Sequence, residues 1–445
     1  MTHTLHDVRP TLDRVRARVA RLAPLRGPHV HQFCEKVRDV VVVASSSRGG
    51  SSVFSETLRA SPHLLHLQAE LNPLLTLARL HPLDTGGHDD AIAPGTPFDA
   101  PVLDRELALD AGHRQTGPVD LHQWATDLAW RFTIQWPEHP WPAHRLRDWL
   151  NTAWATVLGT RAPADGLPPA RLQAVHLEVI RQARAAVPEV HPHMWDLDTP
   201  AVDRAFPHLT PPRPPAGAVV EEPPFVTVGP WVRATEDHLT RPFIIKTPSN
   251  AYRLAFLRQL FPRARFRVLH LTRNPAAAIN GLVDGWTFRG FHAHPVQPPL
   301  SIPGYTSHRP ADAPFWKYDL FPGWRDVAHR PLVEVAAHQW ATAHQHTLDF
   351  LHTHPDFLRV RFEDVVGSAD IRRATFARIT DWLGIPTHPL LAEVIETPLP
   401  PVMATARPRA RRWFARAQAL APALALPTVQ DMAARLGYAD PDTWV

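Results

Sequence analysis

Residues 45–52, which read SSSRGGSS, have the clearest capacity for chemistry in this chain. They follow an apolar run, RDVVVVA at 38–44, and precede a run that favours a helix. Two glycines allow the backbone to approach a ligand closely, and free N–H groups at a helix N-terminus attract anions. Serine hydroxyls and a guanidinium add donors that suit phosphate or sulfate oxygens. The residues predicted to bind an anion are Arg48, Gly49, Gly50, Ser51 and Ser52.

This loop differs from the Walker loop of nucleotide hydrolases, which has the pattern G-x-x-x-x-G-K-[ST]. Ser51 follows Gly50 where that pattern has lysine, and Ser45 stands where it has the first glycine. The lysine that reaches the transferred phosphoryl group is missing, so the loop disfavours a standard ATPase or GTPase. A loop that merely joins a strand to a helix is the alternative interpretation.

Two further cations stand at the ends of predicted strands. Lys246 ends the run FIIK, and Arg273 follows the run FRVLHL. Open α/β sheets bind ligands at the carboxyl ends of their strands, and Arg48 stands at the same edge. We therefore expect these three cations to converge on a ligand with two separated anionic groups. Surface cations without a shared target are the alternative.

The elements that must position these residues alternate along the chain. The predicted strands cover residues 38–44, 64–68, 243–245, 266–271 and 358–362. The predicted helices cover residues 53–60, 250–261, 275–284, 332–351 and 371–383, with Asn250 as a cap, Pro275 in a first turn and a last helix that ends at Gly437. Strands that alternate with helices predict an α/β fold with a central parallel sheet.

The middle of the chain has a different composition. Residues 80–118 predict a loop, and residues 119–187 predict helices. Residues 188–224 are dense in proline and predict an extended connector without a helix. We therefore expect one domain over residues 1–445, with a core at 38–75 and 240–440 and a helical and proline-rich insertion at about 80–235.

Composition limits the class of protein. The chain has 445 residues, of which 44% are hydrophobic and 20% charged, as in globular proteins with a sizeable core. A single cysteine, Cys34, excludes an internal disulfide and a thiolate zinc cluster. No apolar run predicts a membrane span or a secretory signal, so the expected location is cytoplasmic. The net charge of +4 is dispersed, which favours a small anionic ligand over nucleic acid.

Three segments together resemble the sulfotransferase family, and bacterial members in particular. SSSRGGSSVFSETLRASPHL resembles its 5′-phosphosulfate loop, KTPSNAYRLAFLRQLFPRARFRVLHLTRNPAAAINGL its 3′-phosphate region, and RFEDVV its third block. The resemblance implies a three-layer sandwich similar to P-loop NTPases. It also implies 3′-phosphoadenosine 5′-phosphosulfate (PAPS) as sulfonate donor, PAP as product and no required metal. The acceptor would be a hydroxyl or amine of a small molecule, glycan or lipid.

The resemblance also implies roles for single residues. Arg48, Gly50, Ser51 and Ser52 would cradle the 5′-phosphosulfate group. Lys246 matches the catalytic lysine that neutralises the bridging oxygen, and Arg273 matches the arginine that binds the 3′-phosphate. The family has a late basic segment that folds over this phosphate, and the residues that resemble it are Arg411, Arg412 and Trp413.

Three positions depart from the family pattern. Gly281 stands where the family has a serine for the 3′-phosphate, and Asn280 is the nearest substitute. Pro248 replaces the histidine that acts as general base in cytosolic members. Gly49 stands where serine is commoner. The 3′-phosphate contact and the base therefore need other residues in this chain.

Glu70 is the predicted general base. It follows the predicted strand at 64–68, which places it at the edge of the sheet where the anion loop lies. An acceptor hydroxyl must lose its proton during transfer, so a base within hydrogen-bond reach is useful. A glutamate that only pairs with a cation of the site is the alternative, and Asp284 and His66 are rival bases.

The remaining features support further expectations. A helix rich in histidine lacks the spacing of a metal motif, so no metal site is predicted there. Glu363 and Asp364 in RFEDVV are expected to end a strand and cap the next turn.

The alternatives to a sulfotransferase are a nucleotide or small-molecule kinase and a non-catalytic nucleotide-binding protein; no oligomeric state is predicted. Loop aromatics either line an acceptor pocket or pack, namely Trp286, Phe288, Phe291, Tyr305, Phe315, Trp316 and Trp324.

Overall fold

The structure is a computed structural model that describes residues 9–81, 88–160, 166–210, 212–215 and 219–444. Strands within these ranges form one sheet of seven strands and a ribbon of two. Their bounds are β1 (Asp39–Ala44), β2 (Leu65–Leu67), β3 (Ala111–Arg114), β4 (Trp231–Arg233), β5 (Phe243–Lys246), β6 (Arg265–Thr272), β7 (His294–Pro295), β8 (Phe315–Trp316) and β9 (Phe357–Arg361).

Helices surround the sheet and account for most of the regular structure in the described ranges. None of these helices is long and apolar enough to cross a membrane. Their bounds are α1 (Arg9–Leu22), α2 (Phe33–Lys36), α3 (Ser51–Leu58), α4 (Asn72–Leu77), α5 (Ala100–Asp110), α6 (Leu121–Gln135), α7 (Ala143–Leu158), α8 (Pro169–Ala186), α9 (Thr199–Ala205), α10 (Leu254–Leu260), α11 (Pro275–Trp286), α12 (Leu332–Thr353), α13 (Phe362–Val365), α14 (Ala369–Leu383), α15 (Pro389–Glu396), α16 (Ala417–Leu424) and α17 (Pro427–Leu436).

The seven strands lie in the order β4-β3-β2-β5-β1-β6-β9. The five strands from β2 to β9 run parallel, with β1 paired to β5 on one side and to β6 on the other. β3 and β4 run antiparallel at one edge. The predicted α/β fold with a central, mostly parallel sheet is confirmed, and the antiparallel edge is an addition that the strand pattern did not predict.

The side chains of β1 explain why helices cover both faces of the sheet. Val40 and Val42 belong to a core that includes α1 and α5 to α8. Val41 and Val43 belong to a core on the other face, together with Phe54 of α3 and residues of α14. A strand buried on both faces is a continuous apolar run, because successive side chains point in opposite directions. A further core joins α11, α12, α16 and α17.

The segment at about 80–235 is more ordered than its composition predicts. The loop expected at 80–118 contains α5 and β3, and the connector expected at 188–224 contains α9. Each helix begins at an aspartate N-cap, with a proline two residues later. Asp99 accepts a hydrogen bond from the Val102 N–H, and Asp198 accepts one from the Ala201 N–H. Parts of this segment, residues 82–87, 161–165, 211 and 216–218, lie outside the described residues, as do 1–8 and 445.

One predicted helix begins later than expected. Residues 248–252 form a 3₁₀ turn, and α10 starts only at Leu254, so Asn250 does not cap it. Proline at the start of this turn favours the break, since it lacks the N–H that a continuous helix would use. The predicted first-turn position of Pro275 is confirmed, with Asn274 as the cap of α11. The predicted end of the last helix at Gly437 is also confirmed.

Candidate functional site

The anion loop joins the end of β1 to the start of α3. Gly50 forms the N-cap with φ +95°, and no side chain of the described residues caps the helix, so its first N–H groups remain available for a ligand. A Cβ at Gly50 would lie 2.1 Å from the Phe362 ring, and one at Gly49 would lie 2.2 Å from Ser45 Oγ. Both positions therefore favour glycine over any residue with a side chain.

Arg48 adopts a left-handed backbone conformation with φ +60°, which is uncommon for a residue with a side chain. Its carbonyl accepts a hydrogen bond from Arg273 Nη1 at 3.0 Å. Its guanidinium donates to the Met403 carbonyl and, at 3.2 Å, to Thr405 Oγ1. Arg48 is thus held between the loop and a segment that lies 355 residues further along the chain.

Lys246 ends β5 beside the anion loop, as predicted. Its register partner in β1 is Val43, and its Nζ donates to Ser52 Oγ at 3.1 Å. The same Nζ forms an ion pair with Glu70 Oε1, with side chains 12% and 25% exposed. The Leu71 N–H donates to Thr247 Oγ1 at 2.8 Å, which ties together the two chain segments that carry this pair.

Arg273 directly follows β6, the strand on the other side of β1. Its guanidinium lies 4.7 Å from the centre of the Phe362 ring. Burial lowers the pKa of Arg273 to about 10, so the side chain stays charged at neutral pH. The ends of three neighbouring parallel strands thus carry Arg273, the anion loop and Lys246, as the spacing along the sequence predicts.

A cavity of about 590 Å³ lies at this edge of the sheet. Lys246 contacts two residues of the cavity wall, Ser52 and Glu70. Gly49 packs inside the anion loop and does not line the cavity. The predicted site residues that line the cavity are Arg48, Gly50, Ser51, Ser52, Glu70, Arg273, Asn280, Gly281, Arg411, Arg412 and Trp413.

Asn280 and Gly281 lie on one side of this cavity, on α11. Asn280 Oδ1 accepts a hydrogen bond from Arg416, a residue that sequence reasoning missed. A Cβ at Gly281 would lie 3.3 Å from Arg48 Cβ, tighter than an ordinary contact. A serine there would press on the Arg48 side chain, which gives a steric reason for glycine at this position.

Residues 397–411, which we call the strap, cross the cavity between α15 and the turn that begins at Arg412. Asp196 holds the strap, since both of its carboxylate oxygens lie 3.0 Å from the Met403 N–H. Arg411 Nη2 donates to the Asp442 carbonyl at 3.3 Å. Trp413 is buried beside Trp444, with ring centres 6.0 Å apart.

The two rival bases occupy other environments. Asp284 is ion-paired with Arg412 and, at 2.9 Å, with Arg416, so two cations hold its carboxylate. His66 is 1% exposed inside β2, and burial lowers its pKa well below the ordinary value. Neither residue lines the cavity. Glu363 lies on the opposite wall from Glu70 and accepts from the Asn274 N–H at 2.9 Å, so it positions the turn after β6.

Sequence reasoning missed a set of carboxylates in the cavity wall. Burial raises the pKa of Glu221 to about 7 and that of Asp319 to about 6. Burial also raises the pKa of Glu222 and Asp196. Glu221 and Glu222 form the only acidic doublet in the sequence of the proline-dense connector. This doublet is the sequence signal that could have identified them as wall residues. Asp319 accepts a hydrogen bond from Tyr252 Oη at 2.6 Å and one from Ser47.

The loop aromatics divide between the two expected roles. Phe288 and Phe291 line the cavity, where they supply apolar surface. The other five are buried packing residues: Trp286, Tyr305, Phe315, Trp316 and Trp324.

Comparison with solved structures finds sulfotransferases. The sulfotransferase domain from the curacin biosynthetic pathway is 11% identical, with a TM-score of 0.37 and coverage of 91% of this chain and 99% of that chain. Sulfotransferase STF9 from Mycobacterium avium is 13% identical, with a TM-score of 0.33 and coverage of 96% and 82%. No protein-family model and no curated protein matches the chain. Likenesses this weak assign no function, which is inferred below from the residues themselves.

Proposed function

We propose that this chain is a sulfotransferase that moves the sulfonate group of PAPS to an acceptor hydroxyl or amine and releases PAP. One observation carries the proposal: Lys246 Nζ contacts both Ser52 of the anion loop and Glu70, at the ends of adjacent strands. This transfer needs a cation, an anion-binding helix start and a carboxylate base that lie in contact with one another.

The donors of the anion loop and the arginines of the cavity support PAPS as the cosubstrate. Gly50 leaves the start of α3 uncapped, and Ser46 Oγ in the same loop is buried without a hydrogen-bond partner among the described residues. Arg48, Ser51 and Ser52 would hold the phosphosulfate end of PAPS. Arg273 would hold the 3′-phosphate, with the basic residues Arg411 and Arg412 nearby.

Transfer would break the bond between sulfur and the bridging oxygen and form a bond between sulfur and the acceptor oxygen or nitrogen. Glu70 would accept the proton that the acceptor loses. Lys246 would neutralise the charge that develops on the bridging oxygen, which leaves with PAP. Lys246 pairs with Glu70, so binding of an anionic donor beside Lys246 would draw the ammonium away and leave the carboxylate free to act.

The acceptor side of the cavity has a mixed character. Phe288, Phe291 and Trp195 supply apolar surface, and Glu221 and Glu222 supply carboxylates. A small molecule with an apolar body and a polar group suits this wall better than a polyanion would, because carboxylates repel anions.

A thermal-shift titration with PAP, beside ATP–magnesium, tests the proposal. A ligand that binds only the folded state raises the melting temperature by mass action, and saturation well above Kd gives a rise of a few degrees. We expect PAP to raise it in the wild type and not in Arg48→Ala or Arg273→Ala. The exposed arginine of α7 provides the control variant, Arg145→Ala, which should respond like the wild type.

The other outcomes select other functions. A response to ATP–magnesium without one to PAP would refute the proposal in favour of a kinase. A response to PAP without turnover of PAPS on hydroxyl or amine acceptors would favour a non-catalytic nucleotide-binding protein.

A further inference from the structure

Three buried side chains outside the anion loop bring metal-ligating atoms together. His81, Asp90 and His294 each offer one such atom, and these atoms all lie within 4.8 Å of one another. The three residues are 8%, 1% and 3% exposed. His81 follows α4, Asp90 lies in the loop before α5, and His294 begins β7, so the group joins parts of the chain that are distant in sequence.

His294 has an open nitrogen that faces this group. Its Nε2 is buried and makes no hydrogen bond with the described residues. Asp90 and His81 are in contact, with 2.9 Å between Asp90 Oδ1 and His81 Nε2. Glu222 Oε1 lies 3.9 Å from His294 Nε2 and brings a second carboxylate to the same place. A buried polar atom without a partner is costly, and a ligand at this position would remove that cost.

We propose that His81 Nε2, His294 Nε2 and Asp90 Oδ1 bind a divalent transition-metal ion, with Zn²⁺ as the expected occupant and Glu222 as fourth ligand. Two imidazoles and a carboxylate suit zinc, whereas calcium and magnesium prefer oxygen ligands alone. Zinc ligands lie about 2.0–2.2 Å from the metal, so neighbouring donor atoms lie roughly 3.4 Å apart. The ion would draw His294 inward by about 1 Å from the spacing seen here.

One cation already lies beside the proposed site. Arg253 Nη2 is 3.3 Å from Asp90 Oδ1 but makes no hydrogen bond among the described residues. Its displacement by a metal ion would therefore cost no hydrogen bond at that atom. The guanidinium keeps its other contacts, in which Nε donates to the Asp90 carbonyl at 2.7 Å and Nη1 donates to Asn72 Oδ1.

The ion would stabilise one wall of the cavity rather than take part in transfer. Asp90 Oδ2 accepts from Ser249 Oγ and from the Leu320 N–H, the latter at 3.0 Å. Ser249 and Glu222 line the cavity. A metal that fixes Asp90 and Glu222 would thus fix the positions of two cavity residues, Ser249 and Glu222, that come from separate segments. This inference is independent of the proposed sulfonate transfer, because its ligands do not include Lys246 or the anion loop.

The test is metal analysis of the full chain, purified without an affinity tag or chelator. We expect about one zinc per chain by mass spectrometry of the metal. After chelation, added Zn²⁺ should raise the melting temperature by several degrees, and added Co²⁺ should give the visible absorption of a four-coordinate site. His294→Gln and His81→Gln should lose the metal and both responses.

Two variants serve as matched controls. His344→Gln removes another buried histidine, one that contacts His270 at 3.0 Å, and His352→Gln removes an exposed one. Both should retain the metal. Stripped wild-type protein that shows no response to Zn²⁺ or Co²⁺ would overturn the proposal, even if the ligand variants failed to fold. Retention of the metal in folded His294→Gln would overturn it as well.

Discussion

Replacement of Glu70 by glutamine separates its proposed role as a base from a role in pairing. The substitution keeps the shape of the side chain and removes its charge, so no carboxylate remains at this position to take the proton that the acceptor loses. General base catalysis contributes about 10²–10⁴-fold to a rate. We therefore expect kcat to fall by about two to four orders of magnitude in Glu70→Gln, which corresponds to about 3–5 kcal/mol in the activation free energy.

The structure predicts that Glu70→Gln has a smaller effect on folding stability than on catalysis. The ion pair with Lys246 is partly exposed, at 12% and 25% for the two side chains, so solvent screens it. Loss of such a pair costs about 1 kcal/mol, and Lys246 keeps its contact with Ser52 Oγ at 3.1 Å. The free energy of unfolding should thus change far less than the activation free energy, and the affinity for PAP should not decrease.

The assay is steady-state transfer from radiolabelled PAPS, with PAP affinity from calorimetry and stability from urea denaturation. Glu363→Gln is the control, because Glu363 also lines the cavity but is bound by Asn274 and Tyr438. We expect the control to keep kcat within a few-fold. A kcat in Glu70→Gln close to that of the wild type would refute the role as base and leave Glu70 as a partner of Lys246.

Two further predictions concern the anion loop and the cavity wall. Gly50→Ala should destabilise the fold by about 2 kcal/mol or more in urea denaturation and abolish PAP binding, because φ is +95° and the Cβ would lie 2.1 Å from Phe362. Gly159→Ala, with φ +69° and no described residue within 4 Å of the added Cβ, should cost only about 1 kcal/mol; equal costs would contradict the steric reasoning. Burial raises the pKa of Glu221 to about 7 from an ordinary value of 4.5, so the folded state binds the proton more tightly than the unfolded state. Its contribution to stability is therefore complete below pH 4.5 and is lost as the pH rises through 7. Glu221→Gln should flatten the fall of melting temperature over this interval, and an unchanged profile would show that Glu221 does not cause it.

The sequence predicted the parallel core and the convergence of the site well, for a physical reason. In β1, β5 and β6 the apolar runs are long enough to identify buried strands, and a polar or charged residue follows each run. Because parallel strands end at one edge, Lys246, Arg273 and the anion loop had to meet there if the strands were neighbours. Register and strand order, which come from packing over long range, brought Lys246 into contact with Ser52.

The edge of the sheet was harder to predict. β3 and β4 are short strands with Gly112 and several polar residues, so no apolar run marks them. β3 pairs with β2 on one side and with β4 on the other, and the helices between these strands return the chain to the sheet. The helix α5 was missed because it begins beside loop-like residues, although the N-cap Asp99 and Pro101 in the first turn form a helix-start signal.

The acidic wall shows why the rest of the site needed a structure. Glu221 and Glu222 belong to the proline-dense connector. Proline and glycine indicate turns and loops, but they do not predict where a segment packs in the fold. Only in the fold does burial raise the pKa of these carboxylates, against the opposing effects of Arg131 on Glu221 and of Asn72 on Glu222, and give them a place in the cavity. A sequence pattern can identify the residues proposed to bind the donor, because they follow strands at one edge. The carboxylates of the acidic wall come from a connector whose position depends on the packing of the whole chain.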